Sequence, residues 1–294
     1  MNTAPTELAK PSTPTAEPER SPHFLSIDPP NGWQLVNVRE LWRYRELLLF
    51  LIWRDIKVRY KQAVLGVAWA VLQPAMLMVV FSVFLGRLAG LTGGEIPYPL
   101  FVLAGLIPWT FFSAAISSSG GSVVGSERLI TKIYFPRLAV PFAAIGAAVF
   151  DFMISLCLLA VLMVYYSYVP SWQIVFAPFV FGILLLAATG LGTLLAALTV
   201  AYRDFRYVTP FFIQVGMYAT PTIYMLIPPN PSDSLKLWLT INPLVAPIAA
   251  FRSSILGGPM PWGNLGISAL AALGIFIVGC LYFRKLEDDF ADKI

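Results

Sequence analysis

Apolar residues in this chain neither alternate nor recur at helical spacing; they run on. Six such runs, at residues 66–86, 98–118, 138–166, 172–200, 207–227 and 264–283, are long enough to cross a bilayer. A helix needs roughly 20 residues to cover about 30 Å of hydrocarbon. Only one ionisable acid or base, Asp151, lies well inside a run. Trp172, Tyr202, Tyr207 and Tyr282 fall near run ends, where amphipathic rings anchor at the headgroups. The pattern predicts an all-α integral membrane protein. Its parts are six transmembrane helices, an N-terminal amphipathic interfacial helix and a re-entrant helical segment on the outer side.

The blocks between the runs set orientation. Arg39, Arg43, Arg45, Arg54, Lys57, Arg59 and Lys61 precede the first run, and Arg128, Lys132 and Arg137 separate the second from the third. Arg203 and Arg206 separate the fourth from the fifth, and Arg284, Lys285 and Lys293 follow the sixth. The opposite side holds only Arg87, Lys236 and Arg252. Lys and Arg are retained in the cytoplasm, so both termini of this multi-pass chain are expected on the cytoplasmic face of the inner membrane. The stretch 235–256 is apolar but broken by Lys236, Pro243, Pro247 and Arg252. It reads as helices that dip into the outer leaflet and return. The expected domains are a disordered cytoplasmic tail at 1–32, an interface helix at 33–64, a membrane domain at 65–283 and a second tail at 284–294. Within the membrane domain, 119–137 faces the cytoplasm and 228–258 lies outside. The first tail is rich in Pro, Ser and Thr and has no apolar core, so no cleavable signal is expected.

Residues 39–61 read as one helix. Arg39, Arg43, Glu46, Arg54, Lys57 and Lys61 recur at steps of three or four, or their sum, as a polar stripe. The apolar run 47–53 would cover only about 10 Å as a helix. Such a segment is expected in the headgroup plane, with Asp55 and Arg59 as an i,i+4 pair. Two readings of its cations stand. They anchor the chain to anionic lipid, at about 1 kcal/mol per residue, or Arg43, Arg54, Lys57, Arg59 and Lys61 recruit a phosphate-bearing lipid.

Composition narrows the chemistry. The chain is 57% apolar and 12% charged, with a formal net charge of +4. His23 is the only histidine, so neither a His/Cys metal cluster nor a Ser-His-Asp set can be assembled. Cys157 and Cys280 fall inside predicted spans and read as apolar fillers. There is no G-x-x-x-x-G-K-[ST] phosphate loop. No catalytic residue, metal or cofactor on this chain and no nucleic-acid partner are expected.

Six stretches, in order, carry a family resemblance. They are WRDIKVRYKQAVLGVAWAVLQP from Trp53, PLFVLAGLIPWTFF from Pro99, LITKIYFPRLAVP from Leu129, VAYRDFRYVTPFFIQ from Val200, ATPTIY from Ala219 and LTINPLVAPIAAFR from Leu239. Together they resemble the permease subunits of type-2 ABC transporters that export O-antigen, capsule or teichoic acid chains. The resemblance implies a homodimer of a six-helix permease, powered by two separate ATPase subunits that bind ATP and Mg. It also implies a lipid-linked, undecaprenyl-type polysaccharide as cargo.

Residues then take expected places. Glu127, Arg128, Leu129, Ile130, Lys132, Ile133, Tyr134 and Phe135 mix charge with apolar and aromatic side chains in a cytoplasmic connection that stops at Pro136. This segment aligns with the family's coupling helix and is the expected ATPase dock; the alternative is a loop folded back on its own bundle. A glycan path needs hydroxyls, amides and aromatic faces. Tyr98, Trp109, Phe112, Phe211, Gln214, Tyr218 and Tyr224 supply them, with simple packing as the competing reading. Gly146, Gly190 and Gly192 read as close helix contacts. Asp151 is either hydrogen-bonded inside the bundle or a proton carrier. The latter would favour an ion-coupled secondary transporter; a permease for drugs or lipids is the other alternative.

Overall fold

A computed structural model describes residues 42–61, 66–88, 96–133, 135–220, 222, 239–240, 242–287 and 290. The expected tail at 1–32, the start of the expected interface helix at 33–41, residues 228–238 and 241 of the outer segment, Tyr134 and Tyr224 lie outside the described residues. Among those described, the regular elements are helical, as the uninterrupted apolar runs require. In chain order they are α1 (Arg45–Lys61), α2 (Ala68–Phe81), continued by a π-helical turn at Ser82–Leu88, and α3 (Tyr98–Gly125). Then come the single turn α4 (Glu127–Ile130), α5 (Ala139–Tyr165), a 3₁₀ turn at Trp172–Phe176 and α6 (Ala177–Ala201). The last are α7 (Phe205–Ala219), α8 (Val245–Leu256) and α9 (Trp262–Glu287).

Five helical segments are long and apolar enough to span a membrane: Ala68–Gly86, Tyr98–Gly125, Ala139–Tyr165, Trp172–Ala201 and Trp262–Glu287. The predicted fifth run, 207–227, is described as a helix only over Phe205–Ala219, about 22 Å at 1.5 Å per residue. Helix α8 is shorter, about 18 Å, and cannot cross.

Helix α3 is the axis of the fold. From Leu100 to Ile107 its apolar side chains are at most 1% exposed. Small residues let its neighbours close in on every side. A Cβ on Gly120 would sit 3.5 Å from Leu195 of α6. A Cβ on Gly216 of α7 would sit 3.0 Å from the Trp109 ring. Pro97 precedes α3 and Pro99 occupies its first turn, where a missing N–H costs nothing.

Helices α6 and α9 meet backbone to backbone. A Cβ on Gly190 would lie 2.5 Å from the Phe276 main chain, and one on Gly279 would strike the Gly190 carbonyl. Gly192 packs on the Ser119 side chain, and Gly146 on the Ile52 side chain of α1, each with a would-be Cβ within 2.9 Å. The three glycines singled out in the sequence are therefore contact points. Helix α5 ends in a Schellman arrangement. Tyr168 N donates to Met163 O at 2.9 Å and Ser167 N to Val164 O at 3.1 Å, with Ser167 at φ 51°.

One end of the bundle gathers the basic connections. Leu51 of α1, Val123 of α3, Ile130, Phe135, Ala139 of α5, Val200 of α6 and Phe283 of α9 share one apolar cluster with Phe290. There Arg137 N donates to Glu287 Oε1 at 3.1 Å, and the Arg137 guanidinium bonds the Glu287 carbonyl. At the other end α8 is driven inward. Its Phe251 packs 5.8 Å from Phe152, which stacks on Phe181 at 4.2 Å and lies 5.5 Å from Phe111.

Candidate functional site

Two features stand out: a polar cavity among apolar helices and an exposed stripe on α7. The cavity is about 330 Å³ and lies between α2, α3, α5 and α7. Gln73, Thr110, Ser113, Ser117, Asp151 and Ser155 supply its polar wall. Spacing explains the wall. Residues 110, 113 and 117 share one face of α3, and 151 and 155 share one face of α5. Thr110 Oγ1 donates to Ile107 O, Ser113 Oγ to Thr110 O and Ser155 Oγ to Asp151 O, all at 3.0 Å. Each hydroxyl spends its proton on its own helix and keeps acceptor lone pairs. The cavity wall is therefore rich in acceptors. Gln73, Ser117 and Ser155 had not been singled out as site residues, although the hydroxyl spacing along two apolar runs was there to be read.

Asp151 is not alone. Arg59 Nη1 of α1 forms an ion pair with its Oδ2, and the Tyr60 phenol donates to Oδ1. Arg59 Nη2 also donates to Ser118 Oγ at 3.2 Å. Burial, and then the hydrogen bond to Asp151, push the Tyr60 phenol above its ordinary range, so it remains a donor. The expected Asp55–Arg59 pair does not form. Asp55 is held by its neighbour Arg54, at 2.8 Å from Nη2, and Arg59 answers the costlier need of a carboxylate among apolar helices. Helix α1 accordingly meets α5 at two levels. Ile52 lies against Gly146, and Tyr60 meets Phe150 edge-on at 6.0 Å. Of the five cations assigned to lipid recruitment, Arg43, Lys57 and Lys61 are exposed and Arg54 is half-buried. Lys57 Nζ sits 5.2 Å from the Trp53 ring centre. Arg59 alone of them is bonded into the bundle.

The stripe on α7 comprises Tyr207, Phe211, Gln214 and Tyr218, at i, i+4, i+7 and i+11. All four are exposed, while Phe205, Thr209, Ile213 and Met217 turn towards the protomer. Phe211, Gln214 and Tyr218, expected to line a path, thus share one outward face. Trp109 and Phe112 do not join them; at 4% and 5% exposure they are packed in the core. Tyr98 is half-buried and stacks on Phe101 at 6.1 Å. Helix α2 and the π-helical turn after it are similarly bare, with Trp69, Met76, Val79 and Phe84 exposed.

The connection 126–138 divides by function of burial. Ile130 and Phe135 anchor it in the apolar cluster, whereas Glu127, Arg128, Lys132 and Ile133 face outward and Leu129 is half-buried. Ile133 is 56% exposed. At the opposite end, Arg252 of α8 lies over the Phe101 ring at 4.0 Å and donates to the Thr222 carbonyl, crossing Gly105 where only a glycine leaves room.

Residues 46–256 match the family described as ABC-2 type transporter. The chain is 29% identical over 260 residues to the O-antigen export system permease protein RfbA of Myxococcus xanthus, covering 87% of this chain and 98% of that one. It is 27% identical over 256 residues to RfbA of Klebsiella pneumoniae, covering 84% and 94%. It is 25% identical over 254 residues to the polysialic acid transport protein KpsM of Escherichia coli, covering 82% and 92%.

Proposed function

This chain belongs to the ABC-2 type transporter membrane family, and on that premise we propose that it is the permease subunit of a polysaccharide exporter. Its cargo is a lipid-linked glycan of the O-antigen or capsule kind, carried on an undecaprenyl-type lipid across the inner membrane. The chain works as a homodimer with both termini in the cytoplasm, and two separate ATPase subunits bind ATP and Mg and drive it.

The observation that carries the reading is the α7 stripe. Gln214 and two tyrosines face out of the protomer from a helix in the membrane domain. An amide in hydrocarbon is costly, so such a face belongs against a second protomer or a wet path. Sugar rings stack on aromatic faces and their hydroxyls pair with amides and phenols, so one stripe from each of two protomers walls a glycan conduit. The outward group Glu127, Arg128, Lys132 and Ile133 supplies the ATPase dock, and ATP-driven closure is passed to α3 and α5 through the anchors Ile130 and Phe135. Arg43, Arg54, Lys57, Arg59 and Lys61 recruit the anionic headgroup at the inner leaflet.

A secondary transporter centred on Asp151 is the weaker reading, because both carboxylate oxygens are already taken by Arg59 and Tyr60. Reconstitution in vesicles tests the proposal. The chain with its ATPase moves lipid-linked glycan only when ATP is present, and Gln214→Leu with Tyr218→Leu lowers transport while ATPase assembly is retained. Transport by this chain without an ATPase, or driven by a proton gradient, overturns it.

A further inference from the structure

Among the recruiting cations, Arg54 holds only its own neighbour Asp55, whereas Arg59 holds an anion that comes from the bundle. We infer that Asp151 is a resident competitor at a phosphate-binding site: at rest it occupies the Arg59 guanidinium, and an incoming phosphate-bearing lipid headgroup displaces it. The inference rests on the proposed recruitment of an anionic lipid and adds the residue that regulates it.

Four observations meet here. The pair is only partly buried, with side chains 34% and 23% exposed, so water and ligand reach both partners. The guanidinium is held in place by Ser118 on its second nitrogen and is oriented before any ligand arrives. Its planar fork pairs with phosphate as readily as with carboxylate. Asp151 itself borders the 330 Å³ cavity, room for about ten waters or for the first group that a phosphate carries. When phosphate takes Arg59, the carboxylate keeps the Tyr60 donor, and water in the cavity that it borders supplies the donors that the hydroxyl wall, already donating to its own helices, does not. A purely structural ion pair would need neither the cavity nor the accessible partner. The exchange leaves charge balanced at Arg59, and no covalent bond changes.

Binding by the full chain in phosphatidylcholine nanodiscs tests this. The probes are a polyprenyl pyrophosphate, phosphatidic acid, inorganic pyrophosphate and, as control, the uncharged polyprenyl alcohol. If Asp151 holds Arg59 nine-tenths of the time, removing it tightens apparent binding about tenfold. Asp151→Asn keeps the shape and is expected to bind polyprenyl pyrophosphate about that much more tightly, with no change for the alcohol. Asp151→Ser, which also removes the carboxylate, is expected to give a gain in the same direction and decides the matter should Asp151→Asn fail to fold. Arg59→Gln loses the phosphate-dependent part of binding, and Arg59→Gln with Asp151→Asn shows no gain over Arg59→Gln alone. A matching gain for phosphatidic acid identifies any lipid phosphate as the ligand, and one for inorganic pyrophosphate identifies the free anion; both retain the exchange. Equal affinity in wild type, Asp151→Asn and Asp151→Ser, with loss in Arg59→Gln, overturns the exchange and leaves recruitment standing. No binding of any phosphate probe to any variant overturns both.

Discussion

Single residues here act mainly through what they leave out. Gly190 and Gly279 omit a Cβ where two helix backbones touch, and no side-chain adjustment relieves a clash with main chain. Gly190→Ala is expected to cost about 1–3 kcal/mol. Gly182, where a Cβ would meet nothing within 4 Å, provides the contrast, since Ala there gains up to about 1 kcal/mol of helix propensity. Thermal unfolding in detergent, with both variants side by side, checks the pair; equal destabilisation would show that α6 and α9 are not packed as described. Gly190 could be picked from the sequence because small residues in apolar runs mark helix contacts. Its partner could not be, since nothing local says which helix arrives. Asp151 teaches the same lesson. Its cost was legible, while Arg59 lies 92 positions earlier in a segment whose own charge pattern paired that arginine with Asp55.

Elements divide their faces between holding and presenting. The connection 126–138 buries Ile130 and Phe135 and shows Arg128, Lys132 and Ile133 to its surroundings. Phe135→Ala is expected to cost about 3–5 kcal/mol of stability, whereas Ile133→Ala stays within about 0.5 kcal/mol. Copurification separates the roles: Ile133→Ala with Arg128→Glu should reduce recovery of the ATPase without shifting the unfolding midpoint. Normal recovery would mean that the dock lies elsewhere. Helix α7 shows the same division more sharply, with one stripe against the protomer and an aromatic and amide stripe outside. Its sequence announced the polar and aromatic residues, but Trp109 and Phe112 of α3 carried the same chemistry and are core. A helix surrounded on all sides buries whatever it has, and its centrality is not written in its composition.

At the scale of the whole chain, the basic connections converge. Val123, Ile130, Ala139, Val200 and Phe283 end their helices in a single cluster, so 126–138, 202–204 and the end of α9 lie at one end of the bundle. Single cysteines at Lys132, Arg203 and Lys285, in a Cys157→Ser, Cys280→Ala background, should react with a membrane-impermeant reagent from one side only. A cysteine at Gly258 should react from the other. Labelling of Lys285 and Gly258 from the same side would break the topology. The tie between Arg137 and Glu287 adds a mechanical point. On the proposed docking of an ATPase at this connection, a push before α5 would be delivered to the end of α9 as well and would tilt two helices.

The amino-acid sequence by itself determined what each stretch can tolerate: long uncharged runs must be helices in lipid, because no other open structure satisfies the backbone there. Charge placement likewise assigned the polar connections to one side. Only the tertiary structure decided which helix became the axis, which faces stayed bare, and that Arg59 rather than Asp55 would answer Asp151. The reason is that burial and ion pairing in a bundle depend on neighbours brought from far along the chain. All the spans are nearly equally apolar, so hydrophobicity puts them in the membrane without ranking their partners; small residues and isolated charges make that choice by fit.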